Sequence, residues 1–178
     1  MKVAQRLTLV ITGMIALATL IPAAALADEH EAALVRFKGG IGVDPVSNAT
    51  VSGGITTVSA NVVRGVSPPG QIWVIRDLEA RVDVEGHIRV HGSGLLLAGG
   101  NGIGTTGGQS VFATLFCGPA ASAIGSSSNV TGVALDSDGD FSIDDVLTPL
   151  PANPCVDPVL LIRTTGGANP WFAAAIER

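Results

Sequence analysis

The stretch Leu78–Val90 alternates apolar and polar residues with a period of two. Leu78, Ala80, Val82 and Val84 interleave with Glu79, Arg81, Asp83 and Glu85. After Gly86, Ile88 and Val90 interleave with His87, Arg89 and His91. An extended chain places successive side chains on opposite faces, so this pattern predicts two strands with one dry and one wet face. Glu85-Gly86 marks the turn between them, and the pair reads as a β-hairpin.

The β character continues along the chain. Val111–Phe116, Val159–Ile162 and Trp171–Ile176 are apolar at consecutive positions, as central strands covered on both faces would be. Weaker strand patterns occupy Ala33–Lys38, Ile55–Val58, Asn61–Val66 and Gln71–Ile75. A second hairpin is expected at Asp138-Gly139, with Val133 and Leu135 leading in and Phe141 and Ile143 leading out. Segments 39–54, 99–108 and 118–129 are rich in Gly, Ser, Thr and Asn and read as loops. The expected fold is all-β. It is a single-domain β-sandwich, alternatively a partly closed barrel, of about 8–10 short, mainly antiparallel strands with one disulfide. The 23 glycines are accounted for by turns between these strands.

Residues 1–27 read as a secretory signal peptide. Lys2 and Arg6 precede an uncharged apolar stretch from Leu7 to Ile21, and Ala25-Leu26-Ala27 has the small-x-small cleavage pattern. The stretch is short for a membrane span, which needs ~20 residues. The expected mature domain is therefore 28–178, secreted or held in the cell envelope, with no transmembrane segment after cleavage. Removing Lys2 and Arg6 moves the formal net charge from −5 to −7. Such a balance argues against nucleic acid as the partner. Export also makes Cys117 and Cys155 readable as a disulfide, the usual state of an even cysteine pair in an oxidising compartment.

Four constellations could carry chemistry. Asp136-x-Asp138-Gly139-Asp140 has calcium-loop carboxylates at positions one, three and five. However, Phe141 stands where the loop needs Gly and Leu147 where it needs Glu, so a hairpin turn is the better reading. Cleavage after Ala27 would put His30 third from a free amine at Asp28, a nitrogen set that Cu(II) and Ni(II) favour. His87 and His91 share a strand face but sit ~13 Å apart along it, too far for one ion. Gly102-x-Gly104-x-x-Gly107 matches a dinucleotide fingerprint as a string, but Gln109–Ala113 after it reads as strand where that motif must open a helix.

No nucleophile elbow is found, and no catalytic residue is assigned. Asn48-x-Thr50 and Asn129-x-Thr131 are glycosylation strings that matter only in a eukaryotic secretory route. Trp73 and Trp171 lie in apolar runs and read as core.

Several blocks carry a resemblance: Val63–Gly65 with Pro68–Ile75, Gly94–Gly104, Gln109–Cys117, Asp140–Leu147, Pro158–Arg163 and Trp171–Ala174. Together they resemble an uncharacterised family of secreted bacterial proteins, over about Phe37 to Ile176. The residues around Gly86-His87-Ile88 are also similar to CHRD-type extracellular β-domains, whose His-x-His pairing reads His87-x-Arg89 here. These resemblances imply export and a compact β-domain, and no site residue is transferred from them. The functional expectation is a secreted non-enzymatic β-sandwich without a cofactor, an extracellular binding or envelope-associated structural module whose extracellular or cell-envelope partner is unknown. The alternative is an extracellular metal-binding protein, holding Cu or Ca through Asp28 and His30, through the His87/His91 face, or through the turn with Asp136, Asp138 and Asp140.

Overall fold

The computed structural model describes residues 32–178, so the expected signal peptide and the candidate ligands Asp28 and His30 lie outside the described residues. The described residues form β-strands joined by turns and loops, with no helix among them. In chain order the strands are β1 (Ala33–Gly42), β2 (Val46–Ser52), β3 (Ile55–Ala60), β4 (Trp73–Val74), β5 (Asp77–Asp83), β6 (His87–Ser93) and β7 (Leu96–Leu97). They continue as β8 (Ser110–Cys117), β9 (Ile124–Ser127), β10 (Val133–Ala134), β11 (Phe141–Val146), β12 (Val159–Thr164) and β13 (Trp171–Glu177).

One large antiparallel sheet runs in the order β10-β8-β12-β13-β1-β5-β6-β11, with β9 also paired to β8. Its two ends meet. Ser127 N donates to Thr148 O at 2.9 Å, and Thr148 N donates back to Ser127 O at 2.8 Å. The sheet thus curls into a nearly closed barrel, the barrel-like form of the expected fold. Closure leaves few free strand edges on the large sheet.

The alternating residues fill this barrel. Phe37, Leu78, Val82, Ile88, Val90, Val111, Leu115 and Ile143 belong to one buried cluster. Burying such side chains contributes roughly 1.5–3 kcal/mol each. The polar partners of the alternation, Glu79, Arg89 and His91, stand outside and exposed. Trp73 and Trp171 are both buried, and Trp73 stacks on Phe172 with ring centroids 3.9 Å apart. Cys117 at the end of β8 is disulfide-bonded to Cys155 in the loop before β12.

The hairpin of β5 and β6 forms with Val82 opposite Ile88 and Ala80 opposite Val90. Asp83 departs from the alternation by being buried. Its Oδ1 accepts the backbone N–H of Glu85 at 3.0 Å and of His87 at 2.8 Å, which ties the turn shut.

Four sequence expectations change. Segment 118–129, read as a loop, contains β9, which pairs with β8. Asn61–Val66 is a loop. It packs over the sheet, with Trp171 Nε1 donating to Asn61 O and the Arg64 guanidinium donating to Gly118 O and Asp157 O. Segment 39–54, read as a loop, contains β2, which pairs with β3 in a hairpin exposed along its whole length. The turn at Asp138-Gly139 exists, with Gly139 N donating to Asp136 O at 2.9 Å. Its flanking strands do not pair with each other, because β10 joins β8 while β11 joins β6. The turn itself packs against the segment that follows β6: Leu95 N donates to Gly139 O, and Gly94 N donates to Asp140 Oδ1.

Candidate functional site

Register turns the wet face of the β5–β6 hairpin into ordered rows. Arg81 stands opposite Arg89 across β5 and β6, and opposite Arg36 across β5 and β1. Arg89 stands opposite Asp144 on β11. On the other flank Phe37 pairs with Glu177, so the next position brings Arg178 beside Arg36, and Arg178 N donates to Arg36 O at 3.1 Å. The result is a row Asp144–Arg89–Arg81–Arg36–Arg178 running across the strands. A parallel row reads Ser142–His91–Glu79–Lys38.

These side chains line a groove of about 300 Å³ with Arg36, Lys38, Arg81, Arg89, Arg178 and His91 on its walls. Phe37 and Ala80 form its apolar floor. Residues 32–178 hold eight Lys and Arg residues, and all but Arg64, Arg76 and Arg163 line this groove. In a chain of net negative charge, that concentration makes one face locally cationic.

The two rows differ in how they are neutralised. In the second, Lys38 Nζ lies 2.8 Å from Glu79 Oε1. The Lys38 ammonium, by hydrogen bond and charge, holds the Glu79 carboxyl below the ordinary carboxylate range, with smaller help from Arg178 and His91. His91 Nδ1 lies 3.3 Å from Ser142 Oγ. In the arginine row Asp144 Oδ2 meets Arg89 Nε at 3.4 Å, an exposed pair. Like charges set directly opposite one another destabilise a sheet, and Arg36, Arg81 and Arg89 stand opposite one another in register here.

The face presents guanidinium groups together with one hydroxyl–imidazole contact. A hydroxyl against an imidazole is the beginning of a nucleophile–base pair. Here, however, Ser142 and His91 sit on an open sheet, and the neighbouring carboxylate of Glu79 is engaged by Lys38.

The residues singled out in the sequence are placed elsewhere. Asp140 Oδ1 accepts Gly94 N at 2.9 Å and faces Arg76 at 3.4 Å, so it serves the turn. Asp136 N donates to Asp140 O at 3.0 Å, closing the same turn, and Asp138 is exposed. Asp145 Oδ2 accepts Asn129 N at 2.7 Å. His87 Nδ1 lies 3.1 Å from Asp83 Oδ2, away from the partner of His91. Among the described residues, no group of three or more His, Cys, Asp or Glu side chains is placed to hold a metal ion. Gly102, Gly104 and Gly107 lie in a turn-rich loop leading into β8, a strand. No helix among the described residues is long and apolar enough to cross a membrane.

Sequence reading missed the arginine row. Alternation already put Arg81 and Arg89 on one wet face. Their alignment with Arg36 and Arg178 needs the register of β1 between β5 and β13, which no local pattern encodes.

Comparison with protein-family models, with curated proteins and with solved structures finds no match to this chain.

Proposed function

We propose that the protein is an extracellular, non-enzymatic binding module that captures an anionic partner on the outer face of β1, β5 and β6. The observation that carries this reading is the alignment of Arg36, Arg81, Arg89 and Arg178 in one groove of a chain with net negative charge. The signal-peptide pattern, the disulfide and the resemblance to secreted bacterial β-domains support an extracellular or envelope setting. Guanidinium groups are suited to carboxylate, sulfate and phosphate because their planar fork donates two hydrogen bonds at once.

The test is binding to immobilised dextran sulfate at low and high salt. The protein should bind, and binding should weaken as salt screens exposed charges beyond about 10 Å at 0.1 M. The double variant Arg36→Gln, Arg89→Gln should lose most of the affinity. Arg76→Gln, which removes an exposed cation outside the groove, should keep it. Equal binding by the groove and Arg76 variants would overturn the reading.

A further inference from the structure

This inference rests on the anion-binding reading and assigns the ligand class. We infer that the arginine row takes a linear acidic polysaccharide lying across the strands, one acidic group per arginine, and that Asp144 marks where the bound stretch ends.

The geometry of the row carries the assignment. Neighbouring strands lie about 4.8 Å apart, so four arginines in register span roughly 14 Å. One small oxyanion reaches two of them at most, whereas a chain crossing the strands meets all four. The step from strand to strand is close to the length of one sugar ring in an extended chain. Charges along a polyphosphate are more crowded than that.

The surroundings favour sugar over nucleic acid. Binding single strands relies on aromatic side chains that stack on bases. The aromatic residue lining this groove, Phe37, is buried beneath it. The second row supplies what a polysaccharide needs beside its charges. Glu79, His91 and Ser142 present hydrogen-bonding groups next to the arginines, and Lys38 is neutralised by Glu79. Sugar hydroxyls can both donate to Glu79 and accept from Ser142 and His91, while an ionised phosphate chain has no proton to donate to Glu79.

Asp144 gives the row an end. It stands opposite Arg89 on β11, with Oδ2 3.4 Å from Nε. A further acidic group extending past Arg89 would meet this carboxylate and be repelled.

Calorimetric titration of the purified protein with oligogalacturonides of one to eight residues tests the inference. Affinity should climb up to about four residues, by about fivefold per added contact at the upper end of what an exposed ion pair supplies, and then level off. Asp144→Asn should let the five- and six-residue chains gain further. Tripolyphosphate and oligothymidylate of equal charge should bind more weakly than the matched oligogalacturonide. Affinity independent of length, tighter binding of either competitor, or a plateau unmoved by Asp144→Asn would overturn the assignment. Loss of every anion in Arg36→Gln, Arg89→Gln alongside such a result would leave the anion-binding face standing. Unchanged binding of every probe by that double variant, with an unaltered circular dichroism spectrum, would remove the face itself.

Discussion

Arg36 on β1 and Arg81 on β5 occupy directly opposite positions of an antiparallel ladder, and both side chains line one groove. Arg89 faces Arg81 from the other side, and Arg178 adjoins Arg36. Cross-strand pairs of like charge cost stability rather than adding it.

Relieving that repulsion should stabilise the fold while impairing the site. Arg36→Gln removes the cation between Arg81 and Arg178, and a like-charged cross-strand pair is worth roughly 0.2–1 kcal/mol. At low ionic strength the melting temperature should rise by about 1–3 °C, given ~2–4 °C per kcal/mol for a chain of this size. The gain should shrink in 0.5 M salt, since screening weakens the repulsion it relieves. A lower melting temperature at low salt would mean that Arg36 supports the fold.

The disulfide offers a separate stability test. Cys117 and Cys155 are 38 residues apart in sequence, and closing a loop of that size contributes about 4 kcal/mol by restricting the unfolded chain. The bond ties the end of β8, buried along nearly its whole length, to the loop that feeds β12 beside it. Thermal melts with and without reductant, and of the double variant Cys117→Ala, Cys155→Ala, should show a drop of roughly 8–16 °C. Coincident melting curves would show that the bond adds no stability.

Gly139 is a third point of leverage, and it separates a turn from a calcium loop. Its φ is +80°, and an added Cβ would lie 2.5 Å from Leu95 N and 2.6 Å from Leu95 O. Gly139→Ala therefore combines backbone strain with a clash against main chain that cannot swing away, costing about 2–4 kcal/mol. Asp138→Asn, at an exposed position beside it, should leave the melting temperature nearly unchanged. A large loss from Asp138→Asn, restored by added calcium, would revive the metal reading of Asp136, Asp138 and Asp140.

What could be read from the sequence divides along a physical line. The hairpin of β5 and β6 was legible because its alternation and its turn are local, and Val82 opposite Ile88 follows from where Gly86 falls. The buried strands β8, β12 and β13 were legible from consecutive apolar residues. The partners of Phe141–Val146 were not, because its pairing is with β6, distant in sequence, and the turn before it packs on Leu95. The hairpin of β2 and β3 was hidden by its Ser, Thr and Asn content, which it shares with loops. The candidate site was hidden most of all. Each of its arginines is unremarkable within its own strand, and only the order β13-β1-β5-β6 sets them side by side.

Glu79 links the site to pH. Its carboxyl is held below the ordinary range chiefly by the hydrogen bond and charge of Lys38, 2.8 Å away. A carboxyl lowered in the folded state stabilises the fold at and above its unfolded-chain titration. That contribution is lost as the pH falls through the lower, folded-state titration. Both side chains of the pair are more than half exposed, so the stability change is small. On the anion-binding proposal, the larger consequence is for binding. Protonating Glu79 removes the carboxylate side chain that lines the groove among the described residues and frees Lys38 for an anionic ligand. Affinity for a sulfated oligosaccharide, whose own charge stays constant, should therefore increase as the pH falls through the Glu79 titration. A His91→Gln background removes the neighbouring imidazole from the second row. Following the Glu79 side chain by NMR in that background should place its midpoint below that of an unperturbed glutamate, and Lys38→Met should return it upward. If the midpoint ignores Lys38→Met, the ion pair does not hold the carboxyl down. If the pH dependence of binding persists in a Glu79→Gln, His91→Gln variant, another group controls the face.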